Sequence, residues 1–230
     1  MRTFWDRDWA GAEESFRRAV ALAPNAAESR CRYAHLLVAV GRFEEAIAEC
    51  RRGVALDPLN ANLGHFLGRI YYFARRNDLA EAALRRALEL DPNSYWANFF
   101  LAVVSEREGR YGDAVRHWWR AAVVSGVPPG RLAEFEQVYR AQGYSALLRR
   151  ALDAEREASK GAIGSSSVAL RLAALGEKDE ALAWLERSFE SHTRDLIFLG
   201  VDPGYDSLRG DPRFAALLRR VGLPERLAGR

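Results

Sequence analysis

Residue types that could carry out catalysis are few in this sequence of 230 residues. A nucleophilic cysteine needs an exposed, electropositive setting with a base nearby, whereas Cys50 falls in a register of packing residues. No pair of histidines or cysteines has zinc-ligand spacing, and Ser165–Ser167 lies outside any G-x-S-x-G elbow. Walker, dinucleotide-binding and kinase motifs do not occur. We therefore expect no catalytic residue, metal or cofactor, and we expect that the chain is not an enzyme.

A second group of residues has the composition of a binding surface. Its members recur at helical spacing in three segments and combine aromatic side chains with arginine and histidine, as binding hot spots do. They are His35, Asn62, His65, Arg69, Tyr72, Phe73, Trp96, Phe99 and Glu106. The same solvent-facing series includes Cys31. These residues predict a groove that takes an extended or helical peptide of a partner protein. The alternative is that Phe73, Trp96 and Phe99 pack against neighbouring helices.

A repeat of 34 residues defines the helices that would position these side chains. Small residues recur on both helices of each hairpin, where they let the two helices approach closely. Five series keep this interval: Ala12, Ala46, Ala80, Ala114; Pro24, Pro58, Pro92; Ala34, Gly68, Ala102; Phe16, Cys50, Leu84, Trp118; and Ala19, Gly53, Ala87, Ala121. The prolines follow the second helix and end it. The sequence therefore predicts consecutive helical hairpins.

Glycines mark the turn between the two helices of a hairpin. Gly41, Gly109 and Gly143 stand at this place because glycine readily adopts a positive φ. One hairpin has Arg75 at the equivalent position, and there we expect Asn77 and Asp78 to form the turn instead.

The motif Leu67-Gly68-x-x-Tyr71, followed by Ala80, Leu84 and Pro92, resembles the tetratricopeptide repeat family over about residues 8–126. This resemblance implies an all-α, right-handed superhelix (an α-solenoid) of helical hairpins with a C-terminal capping helix, which works by binding a partner in its concave groove. Family members that grip a C-terminal carboxylate use Lys and Asn where this chain has Cys31 and His35. That mode of binding is therefore not expected.

The repeat pattern divides the chain into four segments. Residues 1–126 form hairpins, of which the first is truncated; 127–160 form a degenerate hairpin with Glu136 at a close crossing; 161–195 form a further hairpin; and 196–230 form a cap. The truncated first hairpin suggests a fragment of a longer protein, a fold-back cap of Phe4, Trp5 and Trp9, or a homodimer. Within the cap, Asp202 and Asp211 each precede a proline as helix N-caps.

The C-terminal part carries a narrower resemblance. The segments YFARRNDLAEAALRRALELDPN, LGEKDEALAWLERSFE and VDPGYDSLRGDPRFAALLRRVGLP are similar to the C-terminal repeat module of bacterial multidomain signalling proteins. In those proteins the module follows a kinase, cyclase or winged-helix domain. The resemblance implies a regulatory module severed from such a protein, as an alternative to a free-standing adaptor or scaffold.

An arginine ladder on the second helices suggests a minor alternative function. It consists of Arg17, Arg18, Arg51, Arg52, Arg85, Arg86 and Arg120. A phosphate-binding track for nucleic acid would have this form. The net charge of only +3 and the i,i+4 glutamates favour an ordinary solvated face instead.

The composition bears on where the chain works. It is 49% hydrophobic and 28% charged, which is typical of a folded protein. No run of about 18 apolar residues could span a membrane. Cys31 and Cys50 are too few for a disulfide framework, so a reducing cytoplasm is expected. Arginine is the predominant basic residue, which is typical of GC-rich bacterial genomes.

Overall fold

The computed structural model describes residues 8–159 and 166–224 of the chain. Of the predicted N-terminal cap, Phe4 and Trp5 lie outside these residues and Trp9 lies within them. Within them, regular secondary structure is entirely helical. The α-helices are α1 (Trp9–Leu22), α2 (Ala27–Ala39), α3 (Phe43–Leu56), α4 (Ala61–Phe73), α5 (Asn77–Leu90), α6 (Tyr95–Arg107), α7 (Tyr111–Val124), α8 (Pro129–Gln142), α9 (Tyr144–Ser159), α10 (Ser166–Ala174), α11 (Lys178–Glu190) and α12 (Pro212–Val221). Two 3₁₀ helices cover Arg194–Phe198 and Pro203–Leu208.

The helices form two compact units. The first contains Trp9–Val38 and Arg42–Leu132, and the second contains Asp8, Ala39–Gly41 and the described residues from Ala133 onward. The fourfold division predicted from the sequence remains a proposal beside this one.

Close helix crossings build the hairpins of the first unit. Ala46, Ala80 and Ala114, one on each second helix, are fully buried, and so are Ala34 and Ala102 on the first helices. Gly68 completes the latter series. A Cβ atom added there would lie 2.5 Å from Leu84 Cγ and 3.3 Å from Ala80 O. The predicted repeat of helical hairpins is therefore confirmed, and small residues mark its crossings as expected.

The second unit ends in capped helices. Asp202 Oδ1 accepts a hydrogen bond of 2.8 Å from the N–H of Gly204, and Asp211 Oδ1 accepts one of 2.8 Å from Arg213. The first cap begins a 3₁₀ helix and the second begins α12. Phe214, Leu217, Leu218 and Val221 bury one side of α12.

Two polar side chains of this unit differ in their packing. Arg209 is nearly buried, and it donates to the carbonyl oxygens of Gly200 and Asp202 and to the carboxylate of Asp206. It thereby satisfies the loop carbonyls around the 3₁₀ helices. Glu136 of α8 stays partly exposed and pairs with Arg140, and α8 has no fully buried residue. The degenerate hairpin thus keeps its carboxylate in contact with water.

The two cysteines contradict the sequence-based expectation. Cys31 of α2 and Cys50 of α3 form a disulfide bond, with their Cα atoms 4.3 Å apart. Cys31 is fully buried, so its predicted place on a solvent-facing surface is wrong. A count of cysteines does not show that two of them meet across a helix pair, and proximity on facing helices decides the pairing.

The turn between α4 and α5 also differs from its prediction. Arg75 itself adopts a left-handed backbone, with φ of 61°, at the place where Gly41 and Gly109 have φ of 79° and 71°. The N–H of Arg76 then donates to Tyr71 O over 2.9 Å, which closes the end of α4. Asn77 already belongs to α5. The prediction that Asn77 and Asp78 form this turn is therefore wrong.

We predict that Arg75→Gly stabilises the protein by about 1 kcal/mol, because glycine relieves the Cβ crowding of a left-handed residue. Thermal and urea unfolding of the two proteins would measure the difference. Ala74→Gly is the matched control, since Ala74 has φ of −78° and gains nothing from glycine. Equal losses of stability in both variants would contradict the explanation.

Candidate partner-binding surface

The first helices of the hairpins, α2, α4 and α6, carry the residues that the sequence indicated for binding. Asn62 and Trp96 are exposed, whereas His35, Arg69, Phe99 and Glu106 are half-buried. Phe66 and Val103 are half-buried on the same helices. We call Asn62, Phe66, Arg69, Trp96, Phe99 and Val103 the first-helix surface. Phe66 was missed in the sequence; it follows His65 and precedes Arg69 by three residues, which was the available signal.

Three of the residues predicted to face solvent are buried. Tyr72, Phe73 and His65 expose only 1%, 3% and 6% of their surface. Tyr72 and Phe73 of α4 lie with their ring centroids 5.8 and 6.3 Å from that of Phe100 of α6. The packing alternative therefore holds for Phe73, and Tyr72, which that alternative did not include, packs in the same way between neighbouring first helices. None of the three is available to a partner without rearrangement.

Aromatic rings surround Trp96 at the N-terminal end of α6. Trp96 contacts Phe99 with a centroid distance of 5.7 Å, and Phe99 meets Trp118 of α7 edge to face at 5.0 Å. Tyr95 contacts Trp96 at 5.0 Å. Trp96 nevertheless keeps 47% of its surface exposed. The surrounding rings thus restrict a large indole that remains open to solvent.

Arg69 is held against aromatic rings between α4 and α6. Its guanidinium carbon lies 5.4 Å from the ring centroid of Phe73 and 5.3 Å from that of Phe100. Phe100 also stacks with Trp96 at 6.3 Å. Cation–π contacts of this kind orient the guanidinium group. Arg69 and Trp96 therefore share one supporting ring, that of Phe100.

Two histidines flank Phe66. The ring centroids of His35 on α2 and His65 on α4 each lie 4.5 Å from that of Phe66. Burial, followed by the positive charge of Arg69, lowers the pKa of His35 well below its ordinary value. The same two causes lower the pKa of His65 to about 4. His65 Nδ1 is buried without a hydrogen-bond partner. His65 is consequently neutral at neutral pH.

The second helices carry ion pairs rather than an uncompensated cationic track. Arg52 pairs with Glu49 at 2.6 Å, Arg86 pairs with Glu89 at 2.6 Å, and Arg85 pairs with Glu81. These glutamates offset part of the arginine ladder's charge.

A further arginine series, which the sequence analysis missed, precedes the second helices at the same interval of 34 residues. Arg42 pairs with Glu13 at 2.6 Å and Arg110 pairs with Glu81 at 2.7 Å, and Arg76 pairs with Glu44. Each pair joins the start of one second helix to the preceding second helix. These arginines therefore connect successive hairpins.

The described residues contain neither a candidate metal site nor a candidate membrane span. No group of three or more His, Cys, Asp or Glu residues in the described ranges could hold a metal ion. Among the described helices, none is long and apolar enough to cross a membrane.

Comparison with known proteins identifies the repeat. Two tetratricopeptide repeat models match residues 6–70 and 67–128, which together are more than half of the chain. The chain belongs to the tetratricopeptide repeat family. No curated protein sequence matches it. As a tetratricopeptide repeat protein, it has a fold that serves as a protein–protein interaction module.

Solved structures share the helical repeat at low sequence identity. PilF of Pseudomonas aeruginosa is 17% identical with a TM-score of 0.51, and the match covers 85% of this chain and 91% of that one. MamA is 18% identical with a TM-score of 0.48, covering 82% and 91%. YrrB, described as a TPR protein with an unusual peptide-binding site, is 19% identical with a TM-score of 0.44, covering 94% and 96%. These likenesses concern the fold alone.

We predict that the protein loses stability as the pH falls from about 6.5 towards 4. The unfolded His65 binds a proton over this range while the folded, buried imidazole does not, so protonation favours unfolding, by about 3 kcal/mol at most. Urea unfolding at a series of pH values would measure this. His65→Phe, which introduces the residue found at the equivalent Phe99, should flatten the profile.

The control for this experiment is His192→Asn, which alters an exposed histidine with a positive φ that Asn tolerates. This variant should keep the parent profile. His35 and His117, whose pKa values burial also lowers, retain part of the dependence in every variant. An unchanged profile in His65→Phe would contradict the explanation.

Proposed function

We propose that this chain is an adaptor or scaffold whose first-helix surface binds a peptide segment of a partner protein. The observation that carries the proposal is the patch made by Trp96 and Arg69, which lean on the same Phe100 ring. An exposed, ring-supported tryptophan beside an oriented arginine has the composition of an interface hot spot. Little side-chain freedom remains to be lost on binding, which favours affinity.

The chemistry of the patch indicates the kind of segment that fits it. Trp96, Phe99 and Val103 offer apolar contact for an aliphatic or aromatic side chain. Asn62 and Arg69 carry N–H donors, which suit backbone carbonyl oxygens or a carboxylate of the peptide. A short extended or helical segment with one apolar anchor and one acidic residue would satisfy both parts.

The alternatives from the sequence remain as proposals of lower rank. A regulatory module of a longer bacterial signalling protein would use the same surface, so this alternative concerns context and not chemistry. A homodimer through the first hairpin is compatible with the adaptor role. Nucleic-acid binding through the arginine ladder has less support, because several of its arginines pair with glutamates. The absence of catalytic motifs from the sequence supports a binding role over an enzymatic one.

Peptide display would test the proposed surface. Peptides of about twelve random residues would be selected on the immobilised protein, and their dissociation constants measured by fluorescence anisotropy. We expect Trp96→Ala and Arg69→Ala each to weaken binding at least tenfold, since such anchors typically contribute more than about 1.4 kcal/mol. Circular dichroism and thermal unfolding would confirm that the variants fold.

The control is Tyr111→Ala, which removes an aromatic side chain of matched exposure, 45% against 47% for Trp96, from the second helix α7. Peptide binding should be unaffected by this change. Equal effects of Tyr111→Ala and Trp96→Ala, or binding indifferent to both Trp96 and Arg69, would show that the surface is wrong.

A further inference from the structure

The disulfide between Cys31 and Cys50 occupies a structural position that other hairpins fill with large side chains. Cys31 corresponds to His65 and Phe99 in the repeat, and Cys50 corresponds to Leu84 and Trp118. In the hairpin of α6 and α7, Phe99 and Trp118 touch edge to face at 5.0 Å. Two cysteines have much less volume than such a pair. In the hairpin of α2 and α3, a covalent bond stands where packing joins the helices elsewhere.

The neighbouring residue shows that this hairpin is built around the bond. Gly53 lies one helical turn after Cys50, at the register where the other hairpins have alanine. A Cβ atom at Gly53 would lie 2.7 Å from the backbone oxygen of Ala27 and 3.1 Å from Cys31 Sγ. Backbone atoms cannot move aside as a flexible side chain can. The close helix approach at the disulfide thus excludes even the smallest side chain that the repeat otherwise uses.

We propose that closure of the α2–α3 hairpin is an oxidative step, and that the protein folds and works in a compartment that supplies a thiol oxidant. This inference is independent of the proposed peptide binding. It replaces the cytoplasmic location expected from the sequence, because disulfides persist in oxidising compartments and are rare in the reducing cytosol.

The chemistry of the step is ordinary thiol–disulfide exchange. The thiolate of one cysteine attacks a disulfide of the oxidant and forms a mixed disulfide, and the second cysteine's thiolate then displaces the oxidant as a dithiol. The two cysteines lose two electrons and two protons in total, and the oxidant's disulfide gains them. Both cysteines are fully buried in the folded chain, so the mixed disulfide forms while the hairpin is open, and the second exchange closes it. The finished bond is sheltered from thiols and acts as a structural bond.

Thiol trapping would test the proposal in the source organism. Cells would be quenched in acid, and the denatured protein would be treated with a maleimide-polyethylene glycol reagent with and without prior reduction. We expect no label without reduction and two labels after it. Two labels on unreduced protein would overturn the proposal.

Variants would test whether the bond carries the hairpin. Reduction with dithiothreitol is expected to lower the Tm of the parent protein by roughly 5–15 °C. The Cys31→Ala/Cys50→Ala variant should have a similarly lowered Tm both with and without the reductant. The matched graft is Cys31→His/Cys50→Leu, which installs the facing pair of the next hairpin, His65 and Leu84, and leaves Gly53 in place. Its Tm should not respond to the reductant.

If a variant does not fold, the measurement on the parent protein alone still decides the test. A parent Tm unchanged by dithiothreitol, under conditions where alkylation shows both thiols reduced, would contradict a hairpin built around the bond. A Tm that falls on reduction in the parent protein, but not in the variants without the two cysteines, would support it.

Discussion

Close approach of two helices within each hairpin is the constraint on which the rest of this structure depends. Ala46, Ala80 and Ala114 are completely buried where the helices cross, and Gly68 leaves no room for a Cβ atom beside Leu84. Each second helix therefore covers one side of its first helix. The opposite side of the first helix is left to meet its neighbours and the solvent. Arg69, which directly follows Gly68 on α4, is one of the residues that meet a neighbouring first helix and the solvent.

The same constraint gives the first-helix surface its order. Neighbouring first helices pack through Tyr72, Phe73 and Phe100, and this aromatic layer supports the side chains above it. Arg69 lies over two of these rings, and Trp96 stacks on one of them. The proposed binding residues are supported by buried rings and are therefore preorganised, which is how repeat proteins of this kind present fixed surfaces. Burial of the core and presentation of the surface thus come from one set of contacts.

Sequence reasoning predicted what depends on spacing along the chain. The repeat of 34 residues indicated the hairpins, their small crossing residues and the caps at Asp202 and Asp211. It did not predict the burial of Tyr72 and gave that of Phe73 only as an alternative, because the side-by-side packing of successive first helices depends on three-dimensional geometry. It missed the Cys31–Cys50 bond, although the interval of 34 residues places these two cysteines where Phe99 and Trp118 meet in a later hairpin. The left-handed Arg75 was missed because the hydrogen bond from Arg76 N–H to Tyr71 O closes α4 through a positive φ at Arg75, against the preference of a non-glycine residue.

Hydrogen–deuterium exchange of the first unit, with and without a bound peptide ligand, tests the central claim most directly. That claim is that the crossings direct the second helices to one side and leave the first helices to the partner. The account predicts slower amide exchange in α4 and α6 on binding, with little change in α3, α5 and α7. Slower exchange confined to the second helices would contradict it.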